Sequence, residues 1–331
     1  GTRSAEMIIK PPLAPQGEFV PPRIVLSYFP PDPKSFVVRS GPLGRASSAM
    51  ARESEKRGVL FQGMAGAGKT ACALETIYHQ SRGQRFRHFV WHQAPKENEE
   101  IEDALVKLAL DMEKQLPDFK MTHLVDRAEE FRDWLPVLSE MLEQNSILIV
   151  LDNLENLLTS DGSWKDEHWG WLVEALLNHD GLSRVIMTSR NPLRDLGGNS
   201  QLIVEQINSL SRNEAMLLAR EMPNLGKLLL GKSPVGLAKG RDLVRRTLAL
   251  VQGHPKIIEL ADAQAADPVI LEKYLESAKG AWSEEKNHLD RFFLDGESAR
   301  TAGEFLAVLS RWTQDVSRCL PPASRTLFQF L

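Results

Sequence analysis

Between residues 58 and 206 apolar positions alternate between two patterns, and after 206 only one of them persists. Short continuous apolar runs, Val59-Leu60-Phe61, Phe89-Val90-Trp91, Ile147 to Leu151, Val185-Ile186-Met187 and Leu202-Ile203-Val204, read as strands covered on both faces. Stretches with apolar residues three and four apart lie between them: Lys69 to Gln80, Asn98 to Leu116, Leu124 to Glu143 and Trp169 to Leu177. That spacing predicts helices with one buried stripe. Strands alternating with helices imply a parallel sheet joined by right-handed crossovers. Beyond Gln206 only the helical pattern continues, over Ser211 to Glu221, Gly240 to Val251, Pro255 to Ala265 and Pro268 to Lys279. An α/β domain over 36–205 followed by a helical one over 206–316 is therefore expected, with no repeat of solenoid length.

The first 35 residues differ from the rest. They hold eight of the 19 prolines and read as extended linker, with Arg23 to Phe29 as a short edge strand. Pro42 then opens a helix predicted to reach Glu55. The 331 residues suit two or three domains, and 42% hydrophobic with 25% charged residues is an ordinary globular mixture. A net charge of −4 gives no global attraction to nucleic acid or anionic membrane. Two cysteines, Cys72 and Cys319, cannot build a disulfide framework or a thiolate metal site, which points to a reduced, cytoplasmic protein. No run of about 18 apolar residues predicts a membrane helix. Gly1 replaces an initiating methionine and the chain stops on apolar residues, so it reads as a piece of a longer one.

Chemistry enters with GMAGAGKT, Gly63 to Thr70, set between a predicted strand and a predicted helix. Glycines let the backbone wrap so that successive N–H groups of Gly63, Ala65, Gly66, Ala67, Gly68, Lys69, Thr70 and Ala71 surround phosphates at a helix N-terminus. Lys69 supplies a mobile charge for the β- and γ-phosphates and Thr70 a hydroxyl for Mg²⁺. A nucleoside triphosphate, ATP above others, is the expected ligand. The run Ile147 to Leu151 delivers Asp152 to the C-terminal sheet edge, where it can hold the hydrated Mg²⁺. Asn153 is an amide and takes no proton from water. Glu155 is the nearest carboxylate for polarising an attacking water, with a solvated loop residue as the equal alternative. Slow hydrolysis and simple nucleotide holding both stay open. Thr188-Ser189-Arg190 closes the fourth strand and puts a guanidinium at the same edge, able to pair with γ-phosphate oxygens.

Together the phosphate loop, Val150 to Glu155, Met187 to Arg190 and Gly253-His254-Pro255 resemble the motifs of STAND-class ATPases, which include the NB-ARC switches, in order and approximate spacing over about 36–331. The resemblance implies a P-loop fold with sheet order 5-1-4-3-2. Asp152 would be the Walker B acid, Arg190 a γ-phosphate sensor and Pro255 a cap on the adenine. Phe36-Val37-Val38-Arg39 is similar to a short adenine-side motif, with Val38 in place of a glycine, and Leu43-Gly44-Arg45 is a rival match. Ser211 to Ala215 resembles the start of the helical subdomain, and Ser317 to Leu331 the opening of a winged-helix domain cut short. The resemblance further implies an ATP/ADP switch with slow hydrolysis, self-oligomerisation on activation, and sensor and effector domains outside this chain. An AAA+-like DNA-associated ATPase and a permanently ADP-bound scaffold are the rivals, although no nucleic-acid or membrane partner is expected.

Trp164, Trp169 and Trp171 read as anchors of a helix against the sheet rather than a contact surface. His168 and His254 lack companions at metal spacing. Lys239, Arg241, Arg245 and Arg246 form a basic helix face opposite the buried stripe Leu243, Val244, Leu248 and Val251. Glu97, Glu99, Glu100, Glu102 and Asp103 form an acidic helix start.

Overall fold

The computed structural model describes residues 28–31, 36–37, 39–82, 85–95, 103–116, 118–125, 127–196 and 201–282. The proline-rich linker, apart from 28–31, and the winged-helix segment lie outside the described residues, as does most of the expected strand over Arg23 to Phe29. Tyr28 and Phe29 form a turn and a bend.

Five strands, β1 (Gly58–Gln62), β2 (His88–Gln93), β3 (Ile147–Asp152), β4 (Arg184–Ser189) and β5 (Leu202–Gln206), make one sheet ordered β2-β3-β4-β1-β5. Every pairing is parallel, and this is the expected order read from the other edge. All six side chains of β3 and of β4 are buried, which is why Ile147 to Leu151 and Val185 to Met187 run apolar without alternation. One face of the sheet is covered by α1 (Ser40–Ala49) and α2 (Lys69–Arg82), with Ile77, Phe61 and Ile186 in the core between them. The other is covered by α3 (Ala104–Gln115), α4 (Ala128–Gln144) and α5 (Glu167–Leu177), closing over Leu108, Leu138 and Trp169. Trp169 is wholly buried there and Trp164 stacks on it, so both act as anchors.

Among the helix bounds that differ from the sequence expectation, two have an identifiable reason. α1 stops at Ala49 rather than Glu55, because the Arg184 guanidinium takes the carbonyls of Ala49, Ala51 and Ser54 and draws the chain out of helical register. α4 starts at Ala128 rather than Leu124, because the Glu113 carboxylate accepts the N–H groups of Met121 and Thr122 and holds that segment as turns. Those hydrogen bonds bring the Glu113 carboxyl down to about 2. α3 begins at Ala104 with no acid in its first turn; Asp103 precedes it, and the glutamates from 97 to 102 lie outside the described residues.

After β5 the described chain is helical throughout: α6 (Arg212–Glu221), α7 (Pro223–Leu229), α8 (Gly236–Val251), α9 (Pro255–Gln264) and α10 (Pro268–Trp282). Ser211 and Glu214 form a reciprocal capping box that starts α6. These helices have their own core around Leu225, Leu243, Val244 and Ile258. Met64, in the phosphate loop, packs against both this core and that of α1 and α2, so the two units meet at the loop. Among the described residues no helix is long and apolar enough to cross a membrane.

Candidate functional site

The sheet directs its C-terminal edge toward the helical unit, and a cavity of about 400 Å³ lies in between. That volume falls in the range of small-molecule sites. From the α/β side it is lined by the loop residues Ala65, Gly66, Gly68, Lys69, Thr70 and Ala71 together with Asn153, Glu155 and Arg190. Phe36, Val37 and Arg39 approach from the segment before α1, and Leu210, Leu218, Pro255, Lys256 and Glu259 from the helical side.

β1 ends at Gln62 and α2 begins at Lys69, so the loop between them curls around the first N–H groups of a helix. Lys69 is buried, and its Nζ donates to the carbonyls of Gly63 at 2.9 Å and Met64 at 3.1 Å. Burial lowers its pKa, an effect that Glu155 and Asp152 oppose. Gly66 has φ +68°, and a side chain there would run into the His254 ring 2.7 Å away. That closeness is bonding, since His254 Nε2 lies 2.8 Å from the Ala65 carbonyl. Gly253, at φ +73°, lets the chain before α9 lie on Leu210, where a Cβ would come within 2.0 Å of the Leu210 carbonyl oxygen. The Leu210 N–H in turn donates to the Gly253 carbonyl at 2.8 Å. The glycine, histidine and proline of the Gly-His-Pro motif thus each have a place: a close turn, a hydrogen bond to the phosphate loop, and the first residue of α9 on the cavity wall.

Asp152 lies beneath the cavity rather than on it, wholly buried at the end of β3. Its Oδ1 accepts the Thr70 hydroxyl at 2.9 Å and the Thr188 hydroxyl at 2.5 Å. Thr188 Oγ1 also accepts the N–H of Asn153, which sits in the left-handed region at φ 63° and turns the chain back toward the loop. Asp152 Oδ2 is buried with no hydrogen-bond partner among the described residues, and burial raises the carboxyl pKa. An orphaned carboxylate oxygen beside a threonine hydroxyl is the donor set of a hard divalent cation. No group of three or more His, Cys, Asp or Glu suited to metal binding occurs among the described residues. A cation here would therefore depend on phosphate oxygens and water for its other ligands.

Arg190 and Glu155 face each other across the cavity floor. Arg190 Nε pairs with Glu155 Oε1 at 2.8 Å, and the Arg190 N–H donates to Oε2 at 3.2 Å, so both carboxylate oxygens are engaged. Of the two rival arginines upstream, only Arg39 reaches the cavity. It is buried and donates to the carbonyls of Asn208 and, at 2.7 Å, Ala67, bracing the loop against the link to the helical unit. Burial lowers its pKa. Arg45 instead forms a two-pronged pair with Glu205 on β5, both contacts at 2.7 Å.

Ten of the residues singled out from sequence line the cavity, while Gly63, Ala67 and Asp152 stand behind it. Phe36 and Val37 line the cavity beside Arg39, as members of the same adenine-side motif, whereas sequence reasoning gave no role to Leu210, Leu218, Lys256 or Glu259, because apolar and exposed positions of this kind carry no local signature. His254 and Thr188 belong to recognisable motifs, and their roles emerge only from what they touch.

The family model of the NB-ARC domain matches residues 40–225. No curated protein matches the chain. Among solved structures it is similar to a signal-transduction ATPase with numerous domains carrying a tetratricopeptide-repeat sensor, from Pyrococcus horikoshii. The identity is 20% and the TM-score 0.44, over 70% of this chain and 30% of that one. A Walker-type ATPase of Pyrococcus abyssi aligns at 14% identity and TM-score 0.46, over 77% and 76% of the two chains. The chain thus spans about 30% of the length of the P. horikoshii protein.

Proposed function

The chain belongs to the NB-ARC domain family, and from that premise we propose that it is a nucleotide-controlled switch of the STAND class, holding ADP or ATP with Mg²⁺ between its α/β and helical units. The observation that carries this reading is the convergence on one cavity of Lys69, Thr70 and Arg190 from the sheet edge and Pro255 from α9, with Asp152 beneath. On this reading the loop N–H groups and Lys69 bind the phosphates, and Phe36, Val37, Leu218 and Pro255 enclose the base. Thr70 and Asp152 Oδ2 would hold Mg²⁺, whose charge offsets that of the phosphates.

Lys69 rests on two carbonyls, which satisfies an ammonium that has lost most of its water and keeps it within reach of the phosphates. Among the described residues the Arg190 side chain has one partner, Glu155, and a γ-phosphate is a stronger attraction for a guanidinium than one carboxylate. Triphosphate therefore draws Arg190 away and frees Glu155, whereas diphosphate leaves the pair intact. While paired, Glu155 is a poor base for water, which makes any hydrolysis slow. Because His254 and Pro255 belong to the helical unit, a change at the loop shifts the balance between closed and open arrangements. Opening would permit self-association, with sensor and effector domains outside this chain.

The test is the nucleotide recovered with the purified protein, and the thermal shift on adding ADP or ATP with Mg²⁺. Wild type should carry or respond to nucleotide, and Lys69→Ala should do neither. A nucleotide-free protein indifferent to both additions would end the proposal.

A further inference from the structure

The modest net charge conceals two opposed faces. Residues 128–180 contain twelve acids and two bases, whereas 220–246 contain seven bases and two acids. On α4 the exposed residues Glu129, Asp133, Val137 and Glu140 follow one another at helical spacing, and Glu143 extends the acidic side. On the neighbouring α5, Glu167, Trp171 and Glu174 form a second outward line. Arg132, on α4, lies over the half-buried Trp171 ring at 5.3 Å and joins the two lines. Among the described residues Glu129, Asp133, Glu140, Glu143, Glu167 and Glu174 make no ion pair.

The surface of opposite charge is the corner where α7 turns into α8. Lys227, Leu230, Lys232, Leu237 and Arg241 are all exposed. Gly231 brings the turn against Leu237, and Arg241 Nε donates to the Leu229 carbonyl, so these side chains share one corner. Lys227, Lys232 and the nearby Arg220 have no acidic partner among the described residues. Each face has an apolar centre within its charges, Val137 at 54% exposure and Leu230 at 56%. An apolar centre with a charged rim is the build of a non-obligate interface.

We propose that the acidic α4–α5 face of one copy docks on the basic α7–α8 corner of a second copy. Among the described residues each surface carries like charge without an ion-pair partner, and each is the complement of the other. The two patches differ, so the contact is head-to-tail and leaves one free face of each kind at the ends, from which a ring or filament can grow. This gives a surface to the self-association of the proposed switch and rests on that part of the reading.

The full chain is followed by sedimentation velocity at about 50 mM and about 500 mM salt, without nucleotide, with ADP and with ATP, each with Mg²⁺. One variant reverses the acidic face (Asp133→Lys, Glu140→Lys, Glu174→Lys) and another the basic corner (Lys227→Glu, Lys232→Glu). All five side chains are exposed, and a thermal melt verifies folding. Wild type should associate at low salt in at least one nucleotide state. Each variant alone should associate at least about tenfold more weakly, and an equal mixture of the two should regain assembly, because every reversed face then meets its complement. A monomeric wild type in all states, a reversed variant that assembles like wild type, or a mixture that stays apart would each overturn the docking. Nucleotide-induced thermal shifts on the same preparations keep this result separate from failure of the nucleotide reading.

Discussion

Arg184 opens β4 and Arg190 follows its last residue, so one strand carries an arginine at each edge of the sheet. At the N-terminal edge Arg184 is 2% exposed and donates to five backbone carbonyls, those of Ala49, Ala51, Ser54, Gly181 and Ser183. It has no carboxylate partner among the described residues. Burial, with Arg85 and Arg57 nearby, lowers its pKa to about 10. At the C-terminal edge the Arg190 side chain is 51% exposed and has, among the described residues, the single partner Glu155. The first arrangement is saturated: every direction of the guanidinium is used, and it ties the end of α1 and the turn before β4 to the strand. The second is unsaturated and open to the cavity. A buried charge with all its donors committed serves the fold, whereas one held by a single exchangeable partner can respond to a ligand.

Removing the saturated arginine should have the largest effect. Arg184→Met leaves five carbonyls without that donor and should lower unfolding free energy by about 3–5 kcal/mol in urea denaturation. Nucleotide affinity of the folded fraction should be unchanged. A loss under about 1 kcal/mol would remove the distinction between the two edges.

The same edge should also give the protein its acid sensitivity. His179 is buried there, its carbonyl accepts Arg57 Nε at 2.6 Å, and burial brings its pKa from 6.5 to about 4. The unfolded chain binds the proton first, so this contribution is complete above pH 6.5 and is lost as pH falls toward 4. Wild type should therefore lose about 2 kcal/mol between pH 7 and 5, in excess of His179→Asn, by chemical denaturation at the two pH values. Equal losses in both proteins would remove the histidine from the account.

At the open edge the expected changes concern ligands. Arg190→Ala should lower stability by about 1 kcal/mol, well below the loss for Arg184→Met, since Arg190 is half exposed while its buried partner Glu155 keeps the Arg190 backbone N–H. It should weaken ATP about tenfold relative to ADP in titration calorimetry, by removing the charge proposed to meet the γ-phosphate. Equal preference in wild type and variant would count against the sensor role.

The smallest effect has an unusual sign. Burial disfavours the Asp152 carboxylate, so without Mg²⁺ Asp152→Asn should leave stability unchanged or raise it by up to about 1 kcal/mol. The variant should lose the extra thermal stability that Mg²⁺ adds to the nucleotide-bound wild type. A marked destabilisation without Mg²⁺ would show that the carboxylate is structural.

These contrasts also separate what short stretches of sequence encode from what they do not. GMAGAGKT, the apolar run into Asp152, the strand ending in Arg190 and the Gly-His-Pro element were legible because each encodes its conformation within a few residues. Turn glycines, two-sided strand burial and a proline at a helix start act over that range. The short helix α7 was missed, although Pro223 sits at its first position, because seven residues are too few to establish a period.

By itself, then, the sequence determined a parallel five-stranded sheet with a phosphate loop at its edge, followed by a helical unit, and it singled out Lys69, Thr70, Arg190 and Pro255, which the fold gathers on one cavity, with Asp152 beneath. Tertiary structure alone decided which arginine upstream of the loop faces the cavity, that Arg190 and Glu155 are paired, that His254 touches the loop, and that Arg184 is bound to the end of α1. Each of those outcomes joins groups from 28 to 189 positions apart in the chain. Local propensity is blind to such pairs, because only the packing of whole elements brings them within hydrogen-bond reach and removes the water that would otherwise satisfy them.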